Sequence, residues 1–201
     1  MWIRRFIQLQ LGLCLYGAAA ALMVRANLGL DPWNVFHQGL SLRTGMSLGT
    51  ASILMGVVVM LAWIPLRQKP GLGTLFNIFV IGLSMDAALA VLPQVEGLPL
   101  RLGLMTAGVV LTAMGGAAYI GAGMGTGPRD GLMIGLNQRL GWSIRVSRML
   151  IEVSVLAGGW LLGGSVGLGT VVFAVGIGPL IQIFLPWFQA LGRTERRVAQ
   201  V

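Results

Sequence analysis

Long apolar stretches, separated by short breaks rich in Gly, Pro and Arg, run from one end of the chain to the other. The runs at 6–24, 48–66, 75–92, 102–120, 144–162 and 171–188 each approach the ~20 residues with which a helix crosses a hydrocarbon core. The pattern predicts an all-α, polytopic membrane protein with six transmembrane helices, forming a single membrane domain over 1–201. The first run also resembles a signal peptide, with Arg4 and Arg5 ahead of it and alanines at 18–21 near its end. The internal repeat described next argues against cleavage.

Shifted by 96 residues, the separation of Pro32 from Pro128, the two halves superimpose without a gap. Gly71-Leu72-Gly73-Thr74 falls on Gly167-Leu168-Gly169-Thr170. Gly29 meets Gly125, Gly39-Leu40 meets Gly135-Leu136, Arg43 meets Arg139, Gly45 meets Gly141 and Ser47 meets Ser143. Each half, 5–92 and 101–188, holds three spans. An odd number makes the second half enter the membrane from the opposite side, so the repeats are expected to be inverted, a plan common among secondary transporters.

Between the first and second span of each half lies a punctuated segment. Pro32 and Pro128 suit the first position of a helix, Asp31 or Gly127 precedes as cap, and Gly45 or Gly141 ends it. A helix of ~13 residues spans only about 20 Å, so these are expected to be half-helices, re-entrant or interfacial. In the first, Asn34, His37, Gln38 and Ser41 form a polar stripe; in the second, Arg129, Asp130, Asn137, Gln138 and Arg139 point around the helix. Polarity in several directions favours the re-entrant form, with both N-termini near the midplane presenting unpaired N–H groups and positive dipole ends. Trp33 and Asn34 in one tip and Arg129 and Asp130 in the other become candidate solute contacts, with Asp31 and His37 beside them.

Within the spans, Arg145, Arg148 and Glu152 share one helical face. Burying Glu152 alone in hydrocarbon costs about 2.5–3.5 kcal/mol, so Arg148 is its expected partner, either as a solute-contacting pair or as a packing ion pair. Asp86 and its repeat equivalent Gln182 are expected to face inward, Asp86 close enough to the outer end that a partly hydrated structural role stands beside a role in transport, with Asn77 as a further intramembrane hydrogen-bonding group. Cys14 reads as buried packing, and Pro179 as an interruption of the sixth span.

Composition narrows the chemistry. Hydrophobic residues make up 56% and charged ones 10%, which excludes a separate soluble domain. One Cys and one His leave no disulfide framework within the chain and no Cys/His metal site, so neither metal nor cofactor is expected. The net charge of +8 is scattered singly between apolar runs, unlike a nucleic-acid-binding stripe. With the N-terminus inside, eleven basic residues fall on cytoplasmic segments against three, Arg25, Arg43 and Arg101, outside. Both termini are therefore expected in the cytoplasm. The tail at 189–201, with Arg193, Arg196 and Arg197, is placed to meet anionic lipid headgroups. Gly163-Gly164-Ser165-Val166-Gly167 matches a hydrolase elbow only literally, and no Walker lysine follows a Gly-rich loop. No enzyme is expected.

The run Leu28-Gly29-Leu30-Asp31-Pro32-Trp33-Asn34-Val35, the run Gly125-Thr126-Gly127-Pro128-Arg129-Asp130-Gly131-Leu132-Met133 and the stretch 148–169 resemble the YczE/YitT-type family of small bacterial integral membrane proteins. The resemblance covers nearly the whole chain and implies a multi-pass protein of the bacterial cytoplasmic membrane, without a catalytic list to carry over. Two functional readings remain: a small transporter for an anionic or zwitterionic solute, and a non-transporting scaffold or accessory protein. Both one chain and a homo-oligomer are compatible with a pathway.

Overall fold

The computed structural model describes the backbone of residues 2–198 and the side chains of 2–189. All regular structure among the described residues is helical: α1 (Trp2–Ala26), α2 (Pro32–Thr44), α3 (Leu48–Leu61), α4 (Trp63–Leu66), α5 (Leu72–Val91), α6 (Leu98–Ala122), α7 (Pro128–Leu140), α8 (Ile144–Leu161) and α9 (Leu168–Val198). Five stretches are long and apolar enough to cross a membrane: Trp2–Ala26, Leu48–Leu66, Leu72–Val91, Leu98–Ala122 and Leu168–Gln189. These make the protein a polytopic helical membrane protein. The remaining expected span, the fifth in chain order, exists as helix α8, but Arg145, Arg148 and Glu152 in its first half set it apart from those five.

Helix ends follow local caps more closely than the edges of the apolar runs. Asp31 caps α2 by accepting from the Asn34 N–H, Pro32 takes the first position, and Gly45 closes the helix in the left-handed conformation. α7 begins at Pro128 after Gly127 and closes at Gly141 in the same way. The Ser47 and Ser143 hydroxyls accept from the N–H groups of Thr50 and Val146, starting α3 and α8. α9 continues through Pro179 and Pro186 to Val198, beyond the expected end of the sixth span. The lipid contacts expected of Arg193, Arg196 and Arg197 lie outside the described side chains.

The offset of 96 recurs in three dimensions. It separates the first residues of α1 and α6, of α2 and α7, of α3 and α8, and of α5 and α9. It also pairs the positive-φ positions Asn27 with Gly123, Gly29 with Gly125, Gly45 with Gly141 and Arg67 with Gly163. Contacts between halves are reciprocal: the Gly73 N–H donates to the Met124 carbonyl at 2.9 Å, and the Gly169 N–H to the Leu28 carbonyl at 2.7 Å.

α1 and α6 pack at the centre and run antiparallel. A Cβ at Gly12 would lie 2.9 Å from the Gly115 carbonyl oxygen, and one at Gly108 would lie 3.1 Å from the Ala19 carbonyl oxygen. Small residues at the crossing let the backbones approach, the usual source of helix attraction where solvent supplies no hydrophobic drive. The half-helices dock on the second long apolar segment of the opposite half: Gly39 of α2 abuts Leu162 and Gly159 at the end of α8, while Gly135 of α7 abuts Leu66 of α4. Met23, Leu30, Val35, Val109, Ala113, Phe173 and Ile177 form one core cluster, to which α2 contributes Val35. Cys14 corrects the sequence reading: it lies on the exposed side of α1. Apolar residues surround α1 on every side, so sequence alone does not mark the face that packs.

Candidate functional site

The docking of α2 and α7 brings their N-termini to a common cavity of about 360 Å³. Asp31, Pro32 and Trp33 enter it from one tip, and Gly127, Pro128, Arg129 and Asp130 from the other. α1 and α6 contribute Tyr16 and Tyr119, α8 contributes Arg148 and Glu152, and α5 and α9 contribute Asn77 and Gln182.

Arg129 joins the two tips. Its guanidinium carbon lies 4.6 Å from the centroid of the Trp33 ring, and its Nη1 is 4.0 Å from Asp31 Oδ1. Stacking on the indole face while reaching a carboxylate uses the flat, delocalised cation that Arg has and Lys lacks. Asp31 is buried and fully engaged, because both the backbone N–H and the side-chain amide of Asn34 also donate to it. Asn34 Oδ1 in turn lies 3.2 Å from His37 Nδ1. An amide oxygen only accepts, so the ring proton sits on Nδ1 in this contact. Two members of the polar stripe expected along α2, Asn34 and His37, thus belong to a buried relay that starts at Arg129 and Asp31. Gln38 continues it outward, its Oε1 accepting from the Ser165 N–H at 2.7 Å.

The second tip is wired differently. Its cap is Gly127, which has no side chain to engage Asp130, the repeat equivalent of Asn34. Asp130 turns to the cavity and accepts from the Tyr119 hydroxyl at 3.1 Å. Tyr119 meets Tyr16 edge to face, with centroids 6.4 Å apart. On α8, Arg148 Nε donates to Glu152 Oε1 at 2.9 Å.

Seven of the eight sequence-predicted solute contacts therefore share one cavity: Asp31, Trp33, His37, Arg129, Asp130, Arg148 and Glu152. Asn34 stands behind the wall, held by Asp31 and His37. Of the predicted polar supports, Asn77 and Gln182 line the cavity, but Asp86 does not. The Asp86 carboxylate accepts from the Ser47 hydroxyl and from the Gly49 N–H at 2.7 Å, satisfying orphan donors at the start of α3. Asp86 therefore takes the structural role left open by the sequence and has no part in the cavity, because a carboxylate near a helix N-terminus is captured by that end first. Tyr16 and Tyr119 were missed. The signal was available: they are the two tyrosines of the chain, and Tyr16 sits mid-helix, away from the water interface where such rings collect.

Residues 3–186 match the family of unknown function DUF6198, and every residue lining the cavity falls within that match. This chain belongs to that family. An uncharacterized protein of Haemophilus influenzae is 43% identical over 173 residues, covering 86% of this chain and 79% of its own length. The uncharacterized membrane protein YczE of Bacillus subtilis is 32% identical over 160 residues, covering 79% of this chain and 74% of its own. YyaS of the same organism is 25% identical over 186 residues, covering 90% and 92%. No solved structure matches the chain. The YczE-type resemblance read from the two half-helix motifs is thereby established, and with it a membrane location.

Proposed function

We propose that this DUF6198 protein is a small-solute membrane transporter whose site lies where the two half-helix N-termini face each other. In this reading α8 also crosses the membrane, which makes six spans, and the halves are inverted repeats. The half-helices are re-entrant, with tips near the bilayer midplane, and both termini lie on the cytoplasmic side of the bacterial cytoplasmic membrane. The observation that carries it is the convergence of two helix N-termini and five charged side chains on one cavity of about 360 Å³, within the size range of small-molecule sites. The antiparallel α1 and α6, equivalent under the offset of 96, support the inverted arrangement. Placing α8 against the membrane requires its charged face to turn to the cavity, and Arg148 and Glu152 do line it. The solute is small and anionic or zwitterionic, because helix N-termini and guanidinium groups favour a carboxylate or similar acid. The reading involves no cofactor, no catalytic step and no nucleic acid; lipid is the constant partner.

One observation favours the scaffold reading. Arg129 and Arg148 each have an internal carboxylate, so polar satisfaction accounts for them without a ligand. Purified protein separates the two. A transporter shows a solute-dependent rise in unfolding temperature and solute uptake into proteoliposomes, both diminished for that solute in folded Asp130→Asn or Glu152→Gln protein. Solute uptake that persists unchanged in both variants would remove the cavity as the site, and inertness to every solute would leave the scaffold.

A further inference from the structure

The formal charges around the cavity are uneven. Among the described residues Asp31, Asp130 and Glu152 contribute three negative charges and Arg129 and Arg148 two positive ones. The two helix N-termini add roughly half a positive charge each. Together the lining is close to neutral. A solute with net charge would upset that balance between the helices, whereas a zwitterion would not.

The distribution is also directional. Asp31 is joined to Arg129, and Glu152 to Arg148. Asp130 has the Tyr119 hydroxyl but, among the described residues, no cation within ion-pair distance. What the carboxylate lacks is a positive group. Arg148 is complementary: one N–H goes to Glu152, half its side chain is exposed, and a guanidinium carries five N–H donors. What it lacks is an additional acceptor.

Resting on the transporter reading, we infer that the solute is a small zwitterion, its ammonium group at Asp130 and Tyr119 and its carboxylate at Arg148. A plain carboxylic acid leaves Asp130 without a cation and adds a negative charge beside it. A plain amine leaves the donors of Arg148 without an acid. The site thus selects for two opposite charges on one small skeleton.

The test uses the full-length protein in detergent and in proteoliposomes, with three probe series of matched chain length: ω-amino acids, n-alkanoates and n-alkylamines. For the unmodified protein, a member of the ω-amino acid series raises the unfolding temperature and is taken up, and its two single-charge counterparts do neither. Asp130→Asn removes one negative charge and moves preference to the alkanoate. Arg148→Gln removes one positive charge and moves it to the alkylamine. Should one variant fail to yield monodisperse protein, the other still carries the reversal. Equal or stronger stabilisation by alkanoate or alkylamine in the unmodified protein overturns the zwitterion inference and leaves the cavity a solute site. Preference unchanged in a folded variant overturns it as well. Silence of all three series overturns both this inference and the transporter reading.

Discussion

The indole of Trp63 lies over the α-carbon of Gly131, in the space that a side chain at 131 would fill, and its Nε1 donates to the Pro128 carbonyl at 2.9 Å. Under the offset of 96, Trp63 corresponds to Gly159, which lets the backbone of α2 at Phe36 come close to α8. One half-helix is thus propped by a large ring while the other is seated directly on its neighbour. Gly131→Ala must displace a packed ring and is expected to destabilise by about 1–3 kcal/mol. Trp63→Phe keeps most of the packing but loses the indole bond to the Pro128 carbonyl, which still belongs to the α7 ladder, at about 0.5–1.5 kcal/mol. Thermal unfolding of both variants checks the pair; a neutral Gly131→Ala would mean that α7 is not held against Trp63.

Two glycines with positive φ should differ in their tolerance. At Gly29, φ is +104° and a Cβ would meet the Gly167 nitrogen at 2.5 Å; at Gly45, φ is +76° and nothing lies within 4 Å. Gly45→Ala is expected to cost only the left-handed conformation, about 1–2 kcal/mol. Gly29→Ala adds a clash with the backbone that starts α9, bringing the total to roughly 2–5 kcal/mol. Size-exclusion profiles and unfolding temperatures should rank Gly29→Ala well below Gly45→Ala.

The half-helices and the repeat were legible because Pro and Gly act locally. Pro32 and Pro128 fix helix starts and Gly45 and Gly141 fix helix ends whatever packs around them. The Arg148–Glu152 pair was legible for the same reason, since spacing along one helix settles it. Partnerships between helices were not. Asp86 finds Gly49 and Ser47, Tyr119 finds Asp130 and Trp63 finds Gly131, each through crossings that near-uniform apolar helices do not encode as a polar face. Cys14 failed for that reason too.

Asp86 should separate structural from functional carboxylates. Its oxygens serve the start of α3, away from the cavity. Asp86→Ala is expected to destabilise by about 1–2 kcal/mol, as loss of an N-terminal cap does, with Asp86→Asn intermediate. Neither should alter which solutes stabilise the folded protein. A change in solute preference at Asp86 with unchanged unfolding temperature would contradict the capping role.

Glu152 should show the opposite profile. Its bond to Arg148 joins positions four apart on one helix, with the Glu152 side chain 37% exposed and that of Arg148 50% exposed. Pairs of this kind contribute about 0.3–0.5 kcal/mol, because water already solvates both groups and holding them together restricts two flexible side chains. Glu152→Gln is therefore expected to leave the unfolding temperature almost unchanged. Its effect should fall on the solute, because the variant weakens the hold on the Nε–H of Arg148, a neutral amide oxygen replacing a carboxylate, and raises the charge of the lining by one. The ω-amino acid should then lose its advantage over the matched alkanoate, as with Asp130→Asn but more weakly, since Glu152 is not the group assigned to the ammonium. Titrating both solutes against the unfolding temperature of Glu152→Gln measures this. A large loss of stability without a change in preference would make the pair a packing element of α8.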